Sequence, residues 1–240
     1  VTVNQPMSEG AGLAALWWYF WSIERSLKDN NPNKDWLPLV LFSLVLGIRL
    51  SYLPFGIGLI CLFWKKWNEN QYTIKQLYIR FVFALLCQLI WVGGLVLSEG
   101  SVQGFVKLSL AFTSGHFNDW GNTAVSSGQS VWDRVTTLLI SNLFWHGLSA
   151  LSGFIGFLII LLWILSLAYV KSSIKLLPNA YIMALSYFIW ALLAQNVDKP
   201  RHIVPVVLFI LFILFVTILK KLSHPLVSVI CLLLLFSYSN

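Results

Sequence analysis

Charge is the first thing this chain lacks. Only 10% of its 240 residues are charged, where a soluble domain carries about 25% to clothe its surface. The shortfall excludes a water-facing exterior over most of the molecule, so lipid must take its place. Cysteine is also rare. Cys61, Cys87 and Cys231 all sit inside apolar stretches, and an odd number without CxxC spacing argues against a disulfide framework or a thiolate metal centre. Core packing is left as their role. No GxSxG, P-loop, HExxH or nucleotide-binding glycine pattern occurs, so soluble-type enzyme chemistry is not signalled. No internal repeat or low-complexity tract is evident. The opening VTVNQPMSEG has no basic n-region and is not a signal peptide. Because the chain starts at Val1 rather than Met, a missing N-terminal part is expected.

What is present in quantity is apolar sequence. Ranges 155–170, 180–194, 203–219 and 226–236 contain no charge, and a span needs roughly 17–25 such residues. Transmembrane strands alternate rather than run continuously apolar. The expected fold is therefore all-α: a polytopic transmembrane helical protein, one membrane domain over 1–240. The net charge of +7 is read as orientation rather than nucleic-acid binding, because basic residues in membrane proteins mark the cytoplasmic loops.

Residues 36–64 hold the main ambiguity. Pro38, Arg49 and Pro54 interrupt them, and a single helix would bury Arg49 in lipid at a cost of several kcal/mol. A hairpin places GIRLSYLP at a turn instead. Charge counting favours the hairpin. Under it, eleven basic residues (Arg25, Lys28, Lys34, Lys65, Lys66, Lys75, Arg80, Lys171, Lys175, Lys220, Lys221) share one side, and five (Arg49, Lys107, Arg134, Lys199, Arg201) share the other. About eight spans result, with 98–147 outside. Trp36, Trp64 and Trp67 then form a cytoplasmic aromatic belt. Within the outer loop, Ser130-Val-Trp-Asp133 resembles a capping box. Trp132, Val135, Leu138, Leu139 and Leu143 follow at helical spacing, with Asp133, Arg134, Thr137 and Ser141 off the stripe. This predicts an interfacial helix.

The polar residues assigned to the outer face are Glu9, Arg49, His116, Asp119, His146, Asp198, Arg201 and His202. Their concentration points to a cavity opening outward, with Glu9, Arg49 and the 115–123 loop facing it. Glu9 is either an ordinary first-turn acid complementing the helix dipole or a catalytic group. Arg49 must meet an anion or water. Its partner is either structural, such as Glu9, or a bound phosphate that the guanidinium fork grips. GHFNDWGNT (115–123) puts two glycines, His116 and Asp119 into a tight turn. Those two side chains share a metal or proton, or Asn118 and Asp119 simply cap a structured turn. Two ligands fall short of the three protein ligands usual in a catalytic metal site. In DKPRHIVP (198–205), Arg201 and His202 either anchor the chain at the interface or contact an anionic ligand.

Three of these stretches, in order, resemble the GT-C superfamily of membrane glycosyltransferases, in the branch of protein O-mannosyltransferases and lipid A aminoarabinose transferases. Pro6-Met7-Ser8-Glu9 is similar to the family's PM-S-D opening. GIRLSYLP (47–54) is similar to its G-x-R-x-x-x-x-P segment, and Pro200-Arg201-His202-Ile203-Val204-Pro205 to its P-R-Y/H-x-x-P helix start. The resemblance covers most of the chain. It implies transfer of a sugar from a polyprenyl-phosphate donor to an acceptor on the outer face, in a multi-pass protein of a bacterial inner membrane. Glu9 would then be a catalytic acid, and Arg49, His116, Asp119, Arg201 and His202 would bind substrate. A divalent metal stays open as cofactor. The family's main acid, in an upstream outer loop, has no counterpart here. The chain is then either the carboxy-terminal portion of a transferase or a non-catalytic subunit of a membrane complex, whose partners are membrane lipids and other subunits. A transporter is the third reading.

Overall fold

A computed structural model describes residues 6–29, 35–221, 229, 233 and 234. Among them every regular element is helical and no strand occurs, as expected. Packing divides the chain into two compact units between Phe112 and Thr113. Each is described by itself.

The first unit is built on α1 (Pro6–Lys28), α2 (Trp36–Ile48), α3 (Ile57–Asn68) and α4 (Ile74–Ser98). The expected break at Arg49 is present. Arg49 closes α2 in an extended conformation (φ −147°, ψ 102°), and a 3-10 segment, Leu50–Gly56, carries Pro54 before α3 begins. Proline supplies no backbone donor, so an α-helical ladder cannot run unbroken through this stretch.

The two halves fold back as a hairpin. Lys66, near the end of α3, pairs with Asp35, just before α2, at 4.0 Å. At the opposite end Arg49 meets Glu9 of α1. Helix α1 therefore runs antiparallel to α2 and parallel to α3. Its middle is held where the Tyr19 hydroxyl donates to the Phe55 carbonyl (3.0 Å), and its last turn where Lys65 Nζ reaches the Leu27 carbonyl (3.5 Å). Helix α4 runs alongside α2: Arg80 lies 4.9 Å from the Trp36 ring, and Ser43 Oγ donates to the Cys87 carbonyl at 2.6 Å. Gly47 lets α4 approach, since a Cβ there would stand 3.2 Å from Trp91.

The start of α4 is fixed by a capping box. Thr73 Oγ1 accepts from Gln76 N–H, and Gln76 Oε1 accepts from Thr73 N–H. Gly100, at φ +72°, follows its end. Helix α5 (Val102–Gly115) lies inside the stretch read from sequence as an outer loop, so 98–147 is largely helical.

The second unit comprises a π-helical turn His116–Trp120, α6 (Val131–Thr136) continuing as a π-helical segment Thr137–Leu148, α7 (Gly153–Ser166), a 3-10 turn Leu167–Tyr169, α8 (Val170–Leu176), α9 (Pro178–Ala194), a 3-10 turn Pro200–Ile203 and α10 (Val204–Lys221). Ser130 caps α6 by accepting from Asp133 N–H (3.1 Å). Its hydroxyl donates to Asp133 Oδ2 (2.6 Å), so the reciprocal half of a capping box is replaced by a side-chain bond.

The face that α6 buries differs from expectation. Leu138 and Leu143 of the expected stripe are buried, but so is Arg134, which lies off it, while Trp132 and Leu139 on the stripe are exposed. Hydrogen bonds that skip five residues widen the turn after Thr137. A 3.6-residue period therefore misassigns the inner face.

Two described helices, Ile74–Ser98 and Pro200–Ile218, are long and apolar enough to cross a membrane. Four result if each of two bent pairs is one span: Val131–Leu148 with Gly153–Ile164, bent 106°, and Val170–Leu176 with Pro178–Ala194, bent 96°. The charge-free run 155–170 is broken by the 3-10 turn after α7, and Ala150 and Leu151 take positive φ just before that helix. Helix α2, at 13 residues, is about 20 Å long against a hydrocarbon core of about 30 Å. The last charge-free run, 226–236, lies largely outside the described residues.

Candidate functional site

In the first unit, Glu9 sits in the opening turn of α1 and Arg49 at the end of α2. Both charges suit their helix dipoles, acid at an N-terminus and base at a C-terminus. They pair at 3.2 Å (Nη1 to Oε1), with Arg49 16% and Glu9 29% exposed at the side chain. The guanidinium carbon lies 5.4 Å over the Tyr52 ring. Gly12, one turn beyond Glu9, clears the path: a Cβ there would meet Arg49 Cδ at 3.1 Å and Tyr52 Cε2 at 3.3 Å. The result is a cation held from one side by an acid and from another by an aromatic face, still partly accessible.

In the second unit, polar groups converge on the turn between α9 and α10. A helix leaves its last four carbonyls without intrahelical partners, and here nearly all are met by the 116–134 segment. Arg134 is 1% exposed. Its Nε (3.0 Å) and Nη2 (2.8 Å) donate to the Leu192 carbonyl, and Nη2 also donates to Gln195 (2.8 Å). Nη1 donates to the Asn122 carbonyl and Ser127 Oγ, each at 3.1 Å. Ala124 N–H donates to the Leu193 carbonyl (3.0 Å), and His116 Nε2 lies 2.8 Å from that of Ala194. Asn142 donates to the Val197 carbonyl, and Asn122 and Gln129 donate to Asp198.

The GHFNDWGNT segment folds as tightly as its glycines demand. A Cβ on Gly115 would meet Trp120 Nε1 at 2.5 Å, and one on Gly121 would overlap the His116 carbonyl. Asn122 takes φ +45°, a region Asn tolerates.

The residues expected at the site thus separate. Glu9 and Arg49 meet each other in the first unit. His116 lies in the second, its ring committed to the end of α9 and stacked edgewise on Trp120. Asp119 is exposed on the same π-helical turn. Arg201 is exposed and His202 half-buried on the 3-10 turn that opens α10. No group of three or more His, Cys, Asp or Glu able to hold a metal ion occurs among the described residues.

Sequence reasoning missed a third cluster, because residues among clustered basic charge look like solvated loop. Asp35 is fully buried. It accepts from the Tyr72 hydroxyl and faces Lys66, and Arg80 lies 4.2 Å from the Tyr72 ring. Burial, then the hydrogen bond to Asp35, raises the Tyr72 phenol above its ordinary range. The available signal was Asp35 standing directly before an apolar run, an N-cap position.

Comparison with family models, with curated proteins and with solved structures returns no match.

Proposed function

We propose that this chain is a membrane glycosyltransferase, or part of one, that transfers a sugar from a polyprenyl-phosphate donor to an acceptor on the outer face. The observation that carries the reading is the Glu9–Arg49 pair at 3.2 Å, at the turn of the hairpin and partly accessible. A guanidinium already oriented by a carboxylate and an aromatic ring is prepared for a phosphate, which it grips by two parallel hydrogen bonds. An incoming phosphate takes the carboxylate's place on the guanidinium, and the carboxylate beside the reacting centre accepts a proton. The same proposal has the chain cross a bacterial inner membrane about eight times, with the Glu9–Arg49 end outside. Its support is that the hairpin gathers Arg25, Lys65, Lys66 and Arg80 at the opposite end, as the positive-inside rule requires.

A second reading, a non-catalytic integral subunit, is favoured by a different observation. His116, Asn122 and Asp198 serve as fastenings of the α9–α10 turn, which removes them from a substrate pocket. One experiment separates the two. Binding of polyprenyl phosphate and sugar release are measured in nanodiscs for the protein in its full-length context. Arg49→Ala and Glu9→Ala should each lower turnover on the order of 30- to 1000-fold. Arg49→Lys should restore only part, and Lys28→Gln, at an exposed position, should change little. A protein that binds no polyprenyl phosphate and is indifferent to loss of Arg49 is the subunit.

A further inference from the structure

Helix α4 meets α2 through one stripe. Arg80 and Phe83 lie against the Trp36 ring, the Cys87 carbonyl accepts from Ser43, and Trp91 occupies the space left by Gly47. Only 6% of its spanning stretch is buried. About a third of a turn from the α2 stripe, Ile74, Tyr78, Phe81, Leu85, Val92 and Leu95 recur at alternating steps of four and three. Gln88 fills the one step left, between Leu85 and Val92. Val92 and Gln88 are half-buried and the other five are exposed. Side chains at that spacing form the seam by which two helices pack knobs into holes.

Gln88 separates this stripe from the purely aliphatic face that Leu86, Leu89 and Ile90 present to lipid. It stands two residues past the midpoint of Ile74–Ser98, about 3 Å along the axis, and so lies near the centre of the hydrocarbon core when α4 crosses it. Its Oε1 accepts from Trp91 Nε1 at 2.7 Å. An indole can only donate, which fixes the orientation of the carboxamide. Among the described residues, neither hydrogen of Gln88 Nε2 has a partner. Hydrocarbon cannot supply one, whereas a polar group on a neighbouring helix can. Symmetry narrows which helix. Two copies of one membrane protein enter the bilayer the same way round, so the two-fold axis relating them runs along the bilayer normal. Gln88 of one copy then stands at the depth of Gln88 of the other. A carboxamide complements itself: Nε2 donates to the second Oε1, which has a lone pair left beside its Trp91 bond. The stripe carries no charge, so nothing sets like against like across the axis. We infer that α4 is the helix through which two copies of this chain associate in the membrane, as a parallel pair joined by reciprocal Gln88 hydrogen bonds. The association does not depend on the activity proposed above.

The test uses the full chain in phosphatidylcholine vesicles. In a background lacking the native cysteines, single cysteines replacing Phe81, Leu85, Val92 or Leu95 should form disulfide-linked dimers on mild oxidation, while Leu86→Cys and Ile90→Cys should not. This arm leaves Gln88 in place and reads the seam by itself. Energy transfer between labelled chains, followed as lipid is added, gives the association constant. Gln88→Leu should weaken association about tenfold, and Gln88→Asn, which keeps the carboxamide, should retain most of it. A chain that stays monomeric at every protein-to-lipid ratio, cross-links centred on Leu86 and Ile90, or unchanged association in Gln88→Leu would each overturn the inference.

Discussion

Replacing Arg134 by alanine should loosen the second unit more than any other single change at its polar turn. Five hydrogen bonds from one buried guanidinium reach Leu192 (twice), Gln195, Asn122 and Ser127. Bonds from a charged donor contribute about 1.5–3 kcal/mol each when isolated, but these share acceptors and do not sum. Removing one partner of a buried charged network costs about 3–5 kcal/mol, because the carbonyls left behind have neither donor nor water. For a chain of this size that is roughly a 10 °C fall in Tm. Intrinsic tryptophan fluorescence in detergent would follow the transition, and amide exchange would locate it. The Ala124 amide, bonded to the Leu193 carbonyl, should exchange faster. Arg134→Lys should recover a minor part, since an ammonium cannot serve three carbonyls in a plane. An alanine variant with unchanged melting and unchanged exchange at Ala124 would refute the fastening.

Gly12→Leu should crowd Arg49 and Tyr52 and reproduce the Arg49→Ala defect in polyprenyl-phosphate binding, with Gly10→Leu, where a Cβ meets nothing within 4 Å, as control. Tyr72→Phe leaves Asp35 without its hydroxyl donor and should destabilise the first unit by about 1–3 kcal/mol in chemical unfolding. Because the phenol is raised above its unfolded value, its contribution is complete below about pH 10 and lost as pH climbs through the folded value. Tyrosinate absorbance should therefore rise at 72 only with alkaline unfolding. In a background lacking native cysteines, externally added maleimide should label Val125→Cys, 73% exposed, and spare Asn70→Cys; the reverse pattern would invert the topology.

The sequence by itself determined the scarcity of charge, and with it a surface suited to lipid. It also located the hairpin, because an arginine between two apolar halves and a proline five residues on leave few conformations, and it named Glu9 as a partner for Arg49. Ser130 was legible as a cap because capping is local. The inner face of the Val131–Leu148 region was not. Arg134 and Asn142 point inward and Trp132 and Trp145 outward, and the π-helical turn changes the period. His116 read as a candidate ligand and Arg134 as the solvated side of a helix, and Asn142 carried no reading. Only the tertiary structure, by bringing the end of α9 to them across 78, 58 and 55 residues, decided that they close a helix terminus. Asp35 likewise became a buried acid only when α3 and α4 carried Lys66, Tyr72 and Arg80 around it. Backbone carbonyls leave no mark in a sequence, so side chains that serve them are indistinguishable there from side chains that serve a substrate.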